Sequence, residues 1–199
     1  MKPLFTIHAG EFVVADYIEG HFRGVNLWVP AKDTGIDLLV TDSANRNTLS
    51  LQVKFSRDYS DRHPFQEPLR ACSWWKLNRQ RLATSKADYW VLVLIGFVRR
   101  STDFVVIKPS ELLARLDGIH GQADTIQSYL WVTEKERCWE TRGLNRTDES
   151  AIAQGQYTSE GRDFTRYLND WSCVSVLGKR SEVRNARKTE AEQEAQEDQ

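Results

Sequence analysis

Asp37, Gln52 and Lys54 are the side chains in this sequence whose types and spacing point to chemistry. Asp37 lies in Gly35-Ile36-Asp37-Leu38-Leu39-Val40, where Ile36, Leu38 and Val40 alternate with Asp37 and Leu39 as in a strand. Gln52 and Lys54 lie in Leu49-Ser50-Leu51-Gln52-Val53-Lys54-Phe55-Ser56. There Leu49, Leu51, Val53 and Phe55 point one way and the polar residues the other. The spacer Asp42-Ser43-Ala44-Asn45-Arg46-Asn47 is almost wholly turn formers, so the two runs are predicted to form an antiparallel hairpin. Such a hairpin sets an acid, an amide carbonyl and an amine side by side. A sheet needs none of them there to fold, whereas a divalent metal held next to a phosphate uses all three. The plain alternative for Lys54 is a surface lysine on an exposed sheet face.

The elements that must position these residues follow from periodicity. Residues 7–20 read as a helix, with Glu11, Val14, Ala15, Ile18 and Phe22 on one stripe. Glu11 on that stripe is either a functional carboxylate or an acid at the stripe's margin facing the helix dipole. Residues 25–30 read as a first strand that Pro30 ends or holds at an edge. After the Lys54 strand comes a polar loop carrying Arg57, Arg62 and His63. Residues 74–83 read as a second helix bearing Lys76, Arg79 and Arg81. Residues 88–97 form a buried strand, and a turn over 99–103 leads to another strand at 104–107. With a helix as the crossover, the Lys54 strand and the 88–97 strand should pair in parallel. The expected fold class is α/β, a mixed β-sheet flanked by helices.

The second half carries less. Pro109 starts a short helix, and residues 128–132 and 137–141 read as two strands. Residues 162–171 read as a last amphipathic helix, with Phe164, Tyr167, Leu168 and Trp171 at apolar spacing. The expected organisation is a single domain over 1–178 followed by a charged tail, 179–199, either disordered or a solvated helix.

Composition narrows the classes. The 199 residues are 40% apolar and 28% charged, as in an ordinary globular protein, and fit one well-buried core. Seven tryptophans are many for this length; they are read first as core and second as platforms for stacked bases. A net charge of −1 is not that of a non-specific DNA coat, though the distribution of charge matters more than its sum. Three cysteines, Cys72, Cys138 and Cys173, with no Cys-x-x-Cys pair, argue against a disulfide framework or structural zinc and fit a reducing cytoplasm. The N-terminus has no long apolar core of a signal peptide, and the most apolar stretch, 89–98, is about half the ~20 residues of a membrane helix. Nucleotide-binding glycine loops are absent, and neither the four histidines nor any Ser or Cys has a zinc-site or nucleophile setting.

A helix bearing Glu11, a strand bearing Asp37, a strand bearing Gln52-Val53-Lys54, then helix and strand, resembles the PD-(D/E)XK nuclease superfamily, over residues 7–108. The run Gly35–Val40 and the early helical Glu are similar to its restriction-endonuclease-like and Holliday-junction-resolvase-like branches. The resemblance implies a restriction-endonuclease-like core, α-β-β-β-α-β, and a metal-dependent DNA endonuclease of the processing, restriction or repair type. It implies Mg²⁺ or Mn²⁺ on Asp37, on the Gln52 side-chain carbonyl and on the Val53 backbone carbonyl. Glu11 would bind a second metal or orient a metal-bound water, and Lys54 would orient the attacking water or offset charge on the phosphate. The family most often has Asp or Glu where this chain has Gln52, so the site carries one negative charge fewer. DNA contacts are expected from Arg57, Arg62, His63, Lys76, Arg79 and Arg81, whose plain reading is a charged surface. Cutting both strands of a duplex would favour a homodimer. The rival readings are a catalytically inactive nucleic-acid-binding or assembly subunit, and an adaptor whose Trp-rich half binds another protein.

Overall fold

A computed structural model describes residues 9–32, 34–59 and 67–179. The helix start at Ile7 and His8, the loop residues Arg62 and His63, and the tail from 180 lie outside the described residues.

The chain runs α1 (Ala9–His21), β1 (Val25–Trp28), β2 (Leu38–Asp42), β3 (Thr48–Ser56), β4 (Leu69–Asn78), α2 (Arg79–Ala83), β5 (Tyr89–Gly96), β6 (Ser101–Ile107), α3 (Pro109–His120), β7 (Thr125–Thr133), β8 (Cys138–Glu140) and α4 (Arg146–Gln154). Residues 172–179 form a further helix, α5. Five strands make a mixed sheet in the order β1-β2-β3-β5-β6. The hairpin β2–β3 is antiparallel, as its turn residues require, and β3 pairs with β5 in parallel. The expected α/β class, with helices packed on a mixed sheet, is what the chain adopts. Among the described residues no helix is long and apolar enough to cross a membrane.

Two elements differ most from the expectation. Residues 74–78 are not helix but the end of strand β4, in which Trp75 and Leu77 are buried while Lys76 and Asn78 face solvent. That two-residue alternation, in a run opened by two tryptophans, is a strand pattern that the three cations along 76–81 obscured. Only Arg79–Ala83 is helical, and it starts where Asn78 Oδ1 accepts from the Arg81 N–H at 2.8 Å. The connection from β3 to β5 is therefore a strand plus a single short helix, which makes the order of the first part α-β-β-β-β-α-β. Strand β4 joins β7 and β8 in a second, antiparallel sheet that the sequence reading did not contain.

The second difference is the absence of a helix over 162–171, where two single 3-10 turns occur, Glu160–Arg162 and Thr165–Tyr167. Its backbone groups go to the sheets instead. Phe164 N–H donates to Cys138 C=O at 2.8 Å, and Asn169, at φ 53, exchanges bonds with Phe104. Phe164, Tyr167 and Trp171 are still buried, so the apolar residues were identified and their period was not. Residues 101–103, expected in a turn, begin β6, and the α4 and α5 helices were not anticipated.

The mixed sheet is covered on both faces. Val14 and Ile18 of α1 pack with Leu51, Val53, Val91 and Val93 on one face, joined by Trp171, Val174 and Leu177. On the other, Leu92, Leu94, Val105 and Ile107 meet Trp75, Leu77 and Leu130 of the second sheet and Leu112 and Leu116 of α3. Trp75, Trp90, Trp131, Trp139 and Trp171 are all buried, which places most of the seven tryptophans in the core.

Candidate active site

Strands β2 and β3 part company at the residues singled out in the sequence. Their last pair is Leu38 with Leu51, yet β3 continues to Ser56, held on its other side by β5. Asp37 sits at the fork, one residue ahead of the strand predicted to contain it. Its N–H donates to Leu51 C=O at 2.8 Å, and its Oδ2 accepts from the Val53 N–H at 2.7 Å. The carboxylate thus takes a donor that a longer β2 would have used. Residues two apart in a strand turn their carbonyls to the same edge, so Val53 C=O faces the side that β2 has left.

Around this fork lies an open cleft of about 790 Å³, lined by Glu11, Asp37, Gln52, Val53 and Lys54 together. The two ends of that set come from opposite faces. Val53 packs against α1, so its neighbours Gln52 and Lys54 project from the face away from α1. Glu11 belongs to α1, is only 8% exposed, and reaches the cleft from the first face. A fully paired β2 would have closed the gap between them. Gly10 sets how close α1 comes: a Cβ there would sit 2.6 Å from Phe55 Cβ.

Lys54 extends with its Nζ 5.3 Å from the centre of the Trp90 ring, which gives the ammonium a directional, electron-rich support. Trp90 is fixed in turn, its Nε1 donating to Ser85 Oγ at 2.8 Å. Arg81 and Lys86 line the same cleft, so among the described residues its cations are Lys54, Arg81 and Lys86 and its carboxylates are Glu11 and Asp37. Lys86 was not anticipated. It stands in a polar turn two residues ahead of Asp88, and nothing in its neighbourhood in sequence distinguishes it from a surface lysine.

Among the described residues expected to contact DNA, Arg81 alone lines the cleft. Arg79 is committed elsewhere, in a bidentate ion pair with Asp117 of α3 whose Nη2–Oδ2 arm is 2.7 Å. Arg57 lies over the Tyr59 ring at 4.5 Å, and Lys76 is exposed on β4.

The donors of the cleft suit a hard cation. Two carboxylates, an amide carbonyl and a backbone carbonyl are oxygen ligands of the kind that Mg²⁺ or Mn²⁺ takes alongside retained waters. Their charge is low, and among the described residues no three His, Cys, Asp or Glu side chains gather as a metal centre. The thiols offer no competing chemistry. Burial pushes Cys72 up to about 12, Cys138 well above the usual thiol range and Cys173 up to about 11. Compared with known protein families, curated proteins and solved structures, the chain matches none.

Proposed function

We propose that the protein is a metal-dependent endonuclease that hydrolyses phosphodiester bonds in DNA, with a restriction-endonuclease-like core. The observation that carries this reading is the convergence of Asp37, Gln52, Val53, Lys54 and Glu11 on one cleft at the point where β2 leaves β3. Asp37 and the Gln52 and Val53 carbonyls would hold the metal, with Glu11 across the gap as a further oxygen ligand or as the acceptor that orients water. The metal, when bound, lowers the pKa of its water and offsets phosphate charge. The Val53 N–H holds the Asp37 carboxylate in one orientation before any ion arrives. Lys54, steadied over Trp90, places a positive charge where negative charge grows on the phosphate oxygens, and a fixed charge of this kind costs no reorganisation during reaction.

A second reading has its own observation. Gln52 supplies no charge, so the site binds a divalent ion more weakly than a three-carboxylate site, as a nucleic-acid-binding or assembly subunit that has lost catalysis would. Incubation with supercoiled, linear and branched DNA separates the two. Cleavage in Mg²⁺ or Mn²⁺ that EDTA stops, and that Asp37→Ala and Lys54→Ala each reduce by about 100-fold or more, supports the endonuclease. DNA binding that survives both substitutions, with no cleavage in either metal, leaves the binding subunit.

A further inference from the structure

The nuclease reading leaves open which form of DNA the cleft takes, and Phe55 bears on that choice. It follows Leu51 and Val53 on the α1 face of β3, yet they are 0% and 7% exposed and Phe55 is 41% exposed. It is part of the cleft wall, next to Lys54. The ring is held close over the Gly10 backbone, where a side-chain carbon would come within 3.2 Å of two of its atoms. A half-open phenyl ring set beside Gly10, in a cleft otherwise rich in charge, is not explained by core packing.

Resting on the nuclease reading, we propose that the cleft takes a single-stranded segment of DNA, with a base stacked on Phe55 and flanking phosphates on Arg81 and Lys86. Bases within a duplex are already stacked on each other and present only their edges, so an aromatic face gains little from a duplex; an unpaired base offers its own face. Arg81 and Lys86 are exposed on the cleft wall, and among the described residues neither has an ion-pair partner, in contrast to Arg79.

The test is fluorescence anisotropy in EDTA with a labelled oligo-dT and with a blunt duplex of equal length, on wild-type protein and on Phe55→Ala, Phe55→Trp, Arg81→Ala and Lys86→Ala. The single strand should bind at least tenfold more tightly than the duplex. Phe55→Ala should weaken that binding by about 5- to 100-fold while Phe55→Trp retains it. Each cation removed should lower the slope of log K against log salt by about 0.7. Equal affinity for the duplex, or single-strand affinity unchanged in Phe55→Ala, overturns the proposal and leaves the endonuclease standing. Phe55-dependent single-strand binding without metal-dependent cleavage has the opposite meaning: the substrate class holds and the catalytic reading falls. No binding to either DNA overturns the proposal, and the metal-dependent cleavage assay then decides the endonuclease by itself.

Discussion

Asp37 is oriented by a backbone group, whereas Gln52 is the point at which the site is short of charge. The Asp37 carboxylate accepts from Val53 N–H at 2.7 Å, a charge-assisted bond that survives with or without metal. Gln52 faces the same cleft and supplies at most a neutral carbonyl. On the proposed nuclease reading, a carboxylate placed there should act chiefly on the bound metal. Gln52→Glu is expected to shift the Mn²⁺ midpoint of cleavage about tenfold lower, since ligand charge sets affinity for hard cations. In EDTA the same variant should melt slightly below wild type, because a third carboxylate then lies uncompensated beside Asp37 and Glu11, and added Mn²⁺ should reverse the order. A titration with an unchanged midpoint means that residue 52 does not face the ion.

At the level of elements, the site depends on a helix set down hard against a strand. Gly10→Val places a branched carbon where Phe55 Cβ already stands, 2.6 Å away, and neither atom is the movable end of a side chain. Overpacking of this kind costs about 1–3 kcal/mol, which in a chain this long lowers Tm by about 2–4 °C for each kcal/mol. On the proposed nuclease reading the larger loss should be in cleavage, since lifting α1 withdraws Glu11 from the cleft while Asp37, Gln52 and Lys54 keep their places. A variant with lowered Tm and undiminished cleavage removes Glu11 from the site. This helix and the hairpin of β2 and β3 were legible because their determinants are local: an apolar stripe at helical spacing, a turn-rich spacer, and strands of period two. The fork was not, because the alternation of Ile36, Leu38 and Val40 runs on through Asp37. Strand β4 was not legible as such. Its pattern is strand-like, but it runs straight into the helical turn Arg79–Ala83 with cations on both sides of the junction, and its partner β7 lies about fifty residues or more away. Lys86 enters the cleft only because α2 turns the chain back ahead of β5, a placement no local pattern encodes.

At the scale of the whole molecule, the two sheets are tied by the segment that sequence periodicity took for a helix. At its first end Asp163 bridges to Trp139 of β8, and its neighbour Thr165 takes the Cys138 N–H on Oγ1 at 3.0 Å. At its far end Leu168 bridges to Val105 of β6, and Asn169 donates to Asp103 at 3.0 Å. Asp163 on this strap and Asp103, the β6 acid at its far end, respond to pH with opposite sign. Burial raises the Asp103 carboxyl above its ordinary 3.8, against the pull of Asn169 and Arg70, so its charged form costs stability as pH rises. Burial also works upward on Asp163. The Thr165 hydroxyl and N–H, with Arg137 at 2.6 Å, outweigh it and hold that carboxyl below 3.8. Asp163 therefore contributes stability that is fully present above about pH 4 and is lost as pH falls through its lower folded value. Asp163→Asn should cost about 1.5–3 kcal/mol at pH 7, the range for hydrogen bonds to a charged group. The gap to wild type should narrow steadily below pH 4, because the protonated wild-type side chain and the amide then differ little. Urea unfolding at pH 7, 5, 4 and 3 reads this directly. A gap of constant size across the series would mean that Asp163 holds the strap through its backbone bridge alone and that its charge contributes nothing.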